Sequence, residues 1–93
     1  MPVPDMFRTT MGEAEAHELL RAVAEVPGPV SCLIRGVGQV PLDAVAGALE
    51  EGQAVRLHYR FEGQEWMDVL TPRDGRFDVV RVAHPVREGP SDV

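Results

Sequence analysis

Between Gln53 and Ala83 the chain reads QAVRLHYRFEGQEWMDVLTPRDGRFDVVRVA, and no other stretch limits the possible folds as strongly. Two Gly-containing turns, at Phe61-Glu62-Gly63 and Asp74-Gly75, divide it into three runs rich in β-branched and aromatic residues. That pattern predicts three consecutive antiparallel strands.

The first run alternates plainly: Val55, Leu57, Tyr59 and Phe61 point one way, and Arg56, His58 and Arg60 the other. A three-residue loop at Phe61-Glu62-Gly63 sets Leu57 opposite Met67, Val55 opposite Val69 and Arg56 opposite Asp68. A two-residue loop sets Leu57 opposite Asp68, an apolar side chain against a charged one, so the longer loop is the expectation. Asp74-Gly75 is a strong type I′ signal that pairs Val69 with Val80, Met67 with Val82 and Asp68 with Arg81. The expected inner face is then Val55, Leu57, Tyr59, Met67, Val69, Val80 and Val82. The expected outer face carries a row Arg56–Asp68–Arg81 beside His58 and Trp66, with Leu70 and Val79 further along.

Upstream, Pro2 and Pro4 suggest an extended, mobile lead over residues 1–9. Thr10-Met11-Gly12-Glu13 has the spacing of a capping box, and Ala16, Leu19, Leu20, Val23 and Val26 follow at helical steps until Pro27-Gly28-Pro29. This predicts an amphipathic helix. Val30 to Arg35 reads as a covered strand, and residues 40–52 as a short helix that starts at Pro41 and ends on a left-handed Gly52. The interval from Gly36 to Gly52 is long enough for a helical crossover, which would lay the 30–35 strand parallel to one of the later strands. Residues 84–93, with two prolines and a glycine, read as a disordered tail.

The expected architecture is therefore a two-layer α+β sandwich in the order α-β-α-β-β-β. A single domain over residues 10–83 places both helices on one face of a small mixed sheet that ends in a three-stranded antiparallel meander. A chain of 93 residues has room for one core only. At 44% hydrophobic and 26% charged residues it is too apolar to stay unfolded and too interrupted to span a membrane.

Composition also narrows the chemistry. The net charge of −6 disfavours nucleic acid and anionic lipid as partners. Residues 1–52 hold eight acids against three arginines, or −5, whereas residues 53–93 hold seven against six, or −1. The strand region is thus the near-neutral, Arg-rich part. There is no Lys and no Asn, and Ile34 is the sole Ile, a bias that suggests GC-rich coding and a bacterial source. Without Lys, Schiff-base catalysis and a P-loop are excluded. A lone Cys32 fits a reducing compartment, and the start MPVPDMFRTTMGE has neither the cationic end nor the apolar run of a secretory signal. A cytoplasmic location is expected.

No catalytic, metal or phosphate motif stands out. Gly36-Val37-Gly38 lacks the third glycine of a phosphate-cradling loop and reads as a turn. His17, His58 and His84 are scattered, and Glu13 with His17 is the sole acid–His pair at helical spacing, so neither metal nor cofactor is expected. Cys32, inside an apolar run, reads as an inert core thiol. Glu50-Glu51 lies at the unfavourable end of its helix dipole, where a solvated helix end is the ordinary reading.

The expected interaction surface is the outer sheet face: Trp66, Arg56, Asp68, Arg81, His58, Leu70 and Val79. An exposed aromatic among aliphatics and arginines has the composition of an interface hot spot, although its own termini could cover Trp66, and the arginine row could be an ordinary solvated ladder. The functional expectation is a small non-catalytic interaction module that self-associates as a homo-oligomer through that face. The alternatives are a single-stranded nucleic-acid or anionic-ligand binder using the arginines and Trp66, and a small enzyme with a site near residues 36–40.

Overall fold

In a computed structural model, which describes residues 5–85, both hairpin turns of the 53–83 stretch are two residues long. Glu62 and Gly63 have φ of 53° and 77°, and Asp74 and Gly75 have 52° and 76°, so each is a type I′ turn. These turns join β4 (Val55–Phe61), β5 (Gln64–Arg73) and β6 (Arg76–Pro85).

The register of the second hairpin is the expected one, with Asp68 opposite Arg81 and Val69 opposite Val80. The first hairpin departs from expectation: Leu57 faces Asp68, Arg56 faces Val69 and Val55 faces Leu70. Because successive side chains alternate between faces, this one-residue change turns the whole β5–β6 ribbon over. Trp66, Asp68, Leu70, Val79 and Arg81 move to the helix-covered face, while Met67, Val69, Val80 and Val82 move to the open one. The reason lies in the ribbon itself, since both of its faces carry aliphatics and its alternation selects neither. Turn length decides, and the expected penalty for Asp68 does not arise because the carboxylate is paired.

The sheet has six strands in the order β1-β6-β5-β4-β2-β3, every neighbouring pair antiparallel. A mixed sheet was expected, and two strands were missed. Asp5–Met11 forms β1 and pairs along its length with β6, where residues 1–9 were expected to be a mobile lead and Thr10 and Met11 the start of the first helix. Gly38–Val40 forms β3, which turns back on β2 (Ser31–Ile34). That small hairpin reverses the chain, so β2 runs antiparallel to β4, with Ser31 opposite His58. The crossover instead joins β3 to β4, which run the same way with β2 between them.

Helix α1 spans Glu13–Ala24, and Gly12 is its N-cap in place of Thr10, which belongs to β1. The Gly12 N–H donates to Glu15 Oε1 at 2.9 Å, a side chain reaching back as in a capping box but two residues later than expected. A 3₁₀ turn at Leu42–Ala44 leads into α2 (Val45–Glu50). Its end is a Schellman motif: Gln53 N–H donates to Ala48 O and Gly52 N–H to Leu49 O, each at 3.0 Å, with Gly52 at the expected positive φ of 84°. The expected tail begins inside β6 with His84 and Pro85, and the remainder lies outside the described residues.

Both helices pack on one face, giving the expected two layers. Ala16 and Val23 of α1 and Val45, Ala48 and Leu49 of α2 share a buried core with Cys32, Ile34, Val55, Leu57, Tyr59, Leu70 and Val79. Each fully buried Leu or Val contributes about 1.5–3 kcal/mol. Among the described residues no helix is long and apolar enough to cross a membrane.

Candidate functional site

Three strands converge on one buried carboxylate. Asp68 of β5 is fully buried, and it sits directly across from Arg81 of β6 and diagonally from Tyr59 of β4. Arg81 grips it in bidentate fashion, Nε donating to Oδ1 at 2.8 Å and Nη2 to Oδ2 at 3.0 Å. The Tyr59 hydroxyl donates to Oδ2 at 2.8 Å and accepts from Arg81 Nη2 at 3.3 Å. Fork-to-fork geometry with a third donor is the arrangement that makes a buried charge tolerable.

The electrostatics follow from this geometry. Burial, and then the hydrogen bond to the Asp68 carboxylate, push the Tyr59 hydroxyl well above its ordinary range. The same carboxylate, by its hydrogen bond first, holds Arg81 more firmly protonated against the opposing effect of burial. The ion pair is structural and locked.

Trp66 borders this triad. Its Nε1 donates to Phe61 O at 3.1 Å, and the Arg81 guanidinium carbon lies 5.2 Å from its ring centroid. Arg81 thus carries a cation–π contact as well as its salt bridge. Beside it a groove of about 390 Å³ is lined by Phe7, Thr9 and Met11 of β1 together with Trp66, Val79 and Arg81.

The expected surface residues are therefore divided. Trp66, Asp68 and Arg81 do come together, but on the helix side of the sheet. Leu70 and Val79, expected outside, are core residues with 0% and 2% exposure. Arg56 and His58 remain on the open face, and the expected row Arg56–Asp68–Arg81 does not exist, because Arg56 lies opposite Val69. Tyr59 was read as a core residue, and its role as a donor to Asp68 was missed. The clue available was that Asp68 and Arg81 face one another in either register of the first turn.

The open face has a different character. Met67 and Val69 of β5 and Val80 and Val82 of β6, two adjacent inner strands, are half-buried there, with Met6 of β1 and Leu33 of β2 exposed. Arg8 lies opposite Val80 on one flank, and Arg56 and His58 lie on the other. Near Leu33, Arg56, Val69 and Thr71 this face is indented.

Elsewhere, Glu13 and His17 of α1 meet Glu50 of α2, with one ligand atom from each within 4.8 Å of the others. Sequence spacing supplied only the first two. All three are exposed, so no ion is needed to hold them there. Cys32 is fully buried and burial pushes its thiol upward, as suits a core thiol. Residues 36–40 form the end of a tight turn and the whole of edge strand β3, with Val37 exposed. Compared with protein-family models, curated proteins and solved structures, the chain matches none of them.

Proposed function

We propose that this protein is a small non-catalytic interaction module that associates with a second copy of itself through the open face of its sheet. The observation that supports this reading is the apolar centre of that face: Met67, Val69, Val80 and Val82 on adjacent inner strands, extended by Met6 and Leu33. Neither helix covers it. An apolar centre flanked by Arg8, Arg56 and His58 has the core-and-rim layout of a protein interface.

Size is compatible with pairing. At about 3.3 Å per residue and 4.8 Å between strands, the six strands cover roughly 650 Å². A stable dimer needs at least about 600 Å² from each partner, so nearly the whole face would be used. Two such sheets stack at about −30°, which keeps the central strands of each copy over those of the other.

The nucleic-acid reading draws on arginines beside Trp66: Arg81 stands 5.2 Å from its ring centroid, while Arg56 and His58 lie on the other face, so a single arginine in place of a row supports it.

Sedimentation at about 50 µM tests the proposal, a concentration at which even a micromolar dimer is largely assembled. The wild type is expected to run as a dimer and Val80→Glu as a monomer. A monomeric wild type overturns the proposal, as does a dimer that Val80→Glu leaves intact.

A further inference from the structure

We infer that the groove between β1 and the Trp66–Arg81 pair binds a small apolar monocarboxylate. It lies on the helix side of the sheet and does not rest on the self-association proposed above.

Of its six lining side chains among the described residues, Phe7, Met11 and Val79 are apolar, Trp66 has its N–H committed to Phe61 O, and Thr9 and Arg81 supply the polar groups. Its volume of about 390 Å³ falls within the range of small-molecule sites. Phe7 is 58% exposed, a large apolar area left in water by an otherwise well-paired strand.

Arg81 supplies the ionic selectivity. Its Nε and Nη2 are committed to Asp68 and Tyr59, while its Nη1 makes no hydrogen bond among the described residues. The guanidinium is therefore fixed in place with one amino group to spare. A donor held rigid before the ligand arrives loses little entropy on binding. Among the described residues no acidic side chain lines the groove, since Asp68 is fully buried within the triad.

The ligand class follows from this inventory. One free amino group with no second cation suits a single carboxylate, whereas a dianionic phosphate calls for several donors. Asp68 already balances the charge of Arg81, so the carboxylate gains hydrogen bonds more than net attraction, and most of the affinity has to come from an apolar body lying along Trp66, Phe7 and Met11.

Trp66 is the sole tryptophan of the chain, so its fluorescence reports on this groove directly. Titration with decanoate is expected to give a saturable change below about 1 mM, a weak small-molecule affinity. Decan-1-ol, which lacks the charge, is expected to bind about tenfold less tightly or worse, because hydrogen bonds to charged groups are the stronger kind. Acetate and inorganic phosphate should cause no change. Arg81→Met leaves Asp68 without its partner and is a poor test if it fails to fold. Thr9→Phe is the deciding variant: it fills the groove from an exposed strand position without touching the triad, and it should abolish the decanoate response. Equal binding of decanoate and decan-1-ol, saturation by phosphate, no response to decanoate, or a response that survives Thr9→Phe would each overturn the assignment.

Discussion

At the scale of single residues, the buried Asp68 carboxylate governs the stability of the molecule. Arg81→Met leaves it desolvated and unpaired, which costs about 3–5 kcal/mol, a large share of the 5–15 kcal/mol typical of a domain. The double variant Asp68→Leu/Arg81→Met removes both charges and is expected to recover most of that loss in urea unfolding. If the single and double variants unfold at the same urea concentration, the pair is not the coupled unit described here.

Tyr59 adds a pH dependence whose sign is determined. Its folded-state pKa is raised above the ordinary value of 10.0, so above pH 10 the unfolded chain releases a proton that the folded chain retains. The contribution is therefore fully present below pH 10 and is lost as pH rises toward the folded value. Cys32, raised from 9.0 by burial, acts in the same direction. Unfolding free energies measured at rising alkaline pH should fall more steeply in the wild type than in Tyr59→Phe/Cys32→Ala. Tyr59 is the only tyrosine, so its ultraviolet titration in the native protein should lag behind that of the unfolded chain.

At the scale of elements, the turn at Glu62-Gly63 sets the orientation of the whole β5–β6 ribbon. Glu62 holds φ of 53°, a left-handed conformation unfavourable for glutamate by about 1 kcal/mol. Asn tolerates it better, so Glu62→Asn is expected to raise the urea midpoint by an amount equivalent to up to about 1 kcal/mol. In a three-residue loop position 62 would sit in an ordinary type I turn that accepts most residues, so the midpoint would stay nearly unchanged and a clear rise reads out the two-residue turn. The β2–β3 hairpin has a comparable effect on topology, because by reversing the chain it makes the sheet wholly antiparallel while keeping a crossover between β3 and β4.

At the scale of the whole molecule, the two layers formed by the described residues leave one sheet face without a cover among those residues. If a second copy provides it, folding and association are linked, and the melting temperature should rise with protein concentration. Val80→Glu should remove that dependence while changing the melting temperature of the dilute protein little, since Val80 is only half-buried. Charge is distributed across the same axis: Glu13, Glu15, Glu18 and Glu50 stand on the helical layer, while Arg8 and Arg56 stand on the sheet.

Much of this was legible from local signals. The helical steps from Ala16 to Val23, the Gly52 cap, the alternation of Val55 to Tyr59 and the Asp74-Gly75 turn each act over a few residues, and all appear as expected. So does the two-layer α+β architecture, because one apolar stripe per helix and one apolar face on β4 admit few other packings. Residues 5–11 carry no turn or alternation signal that distinguishes a strand from a lead, and only the free edge of β6 makes them β1. The orientation of β5 and β6 was open for a related reason: with aliphatics on both faces, the ribbon satisfies either register locally. The two-residue turn makes the choice, and Tyr59 and Arg81 make it tolerable by together satisfying a carboxylate that pairwise reasoning about Leu57 and Asp68 would have kept in water. Sequence alone determined both helices and four of the six strands; tertiary structure added the two edge strands and decided which face each element presents, because a buried charge is stable only when all of its partners arrive together.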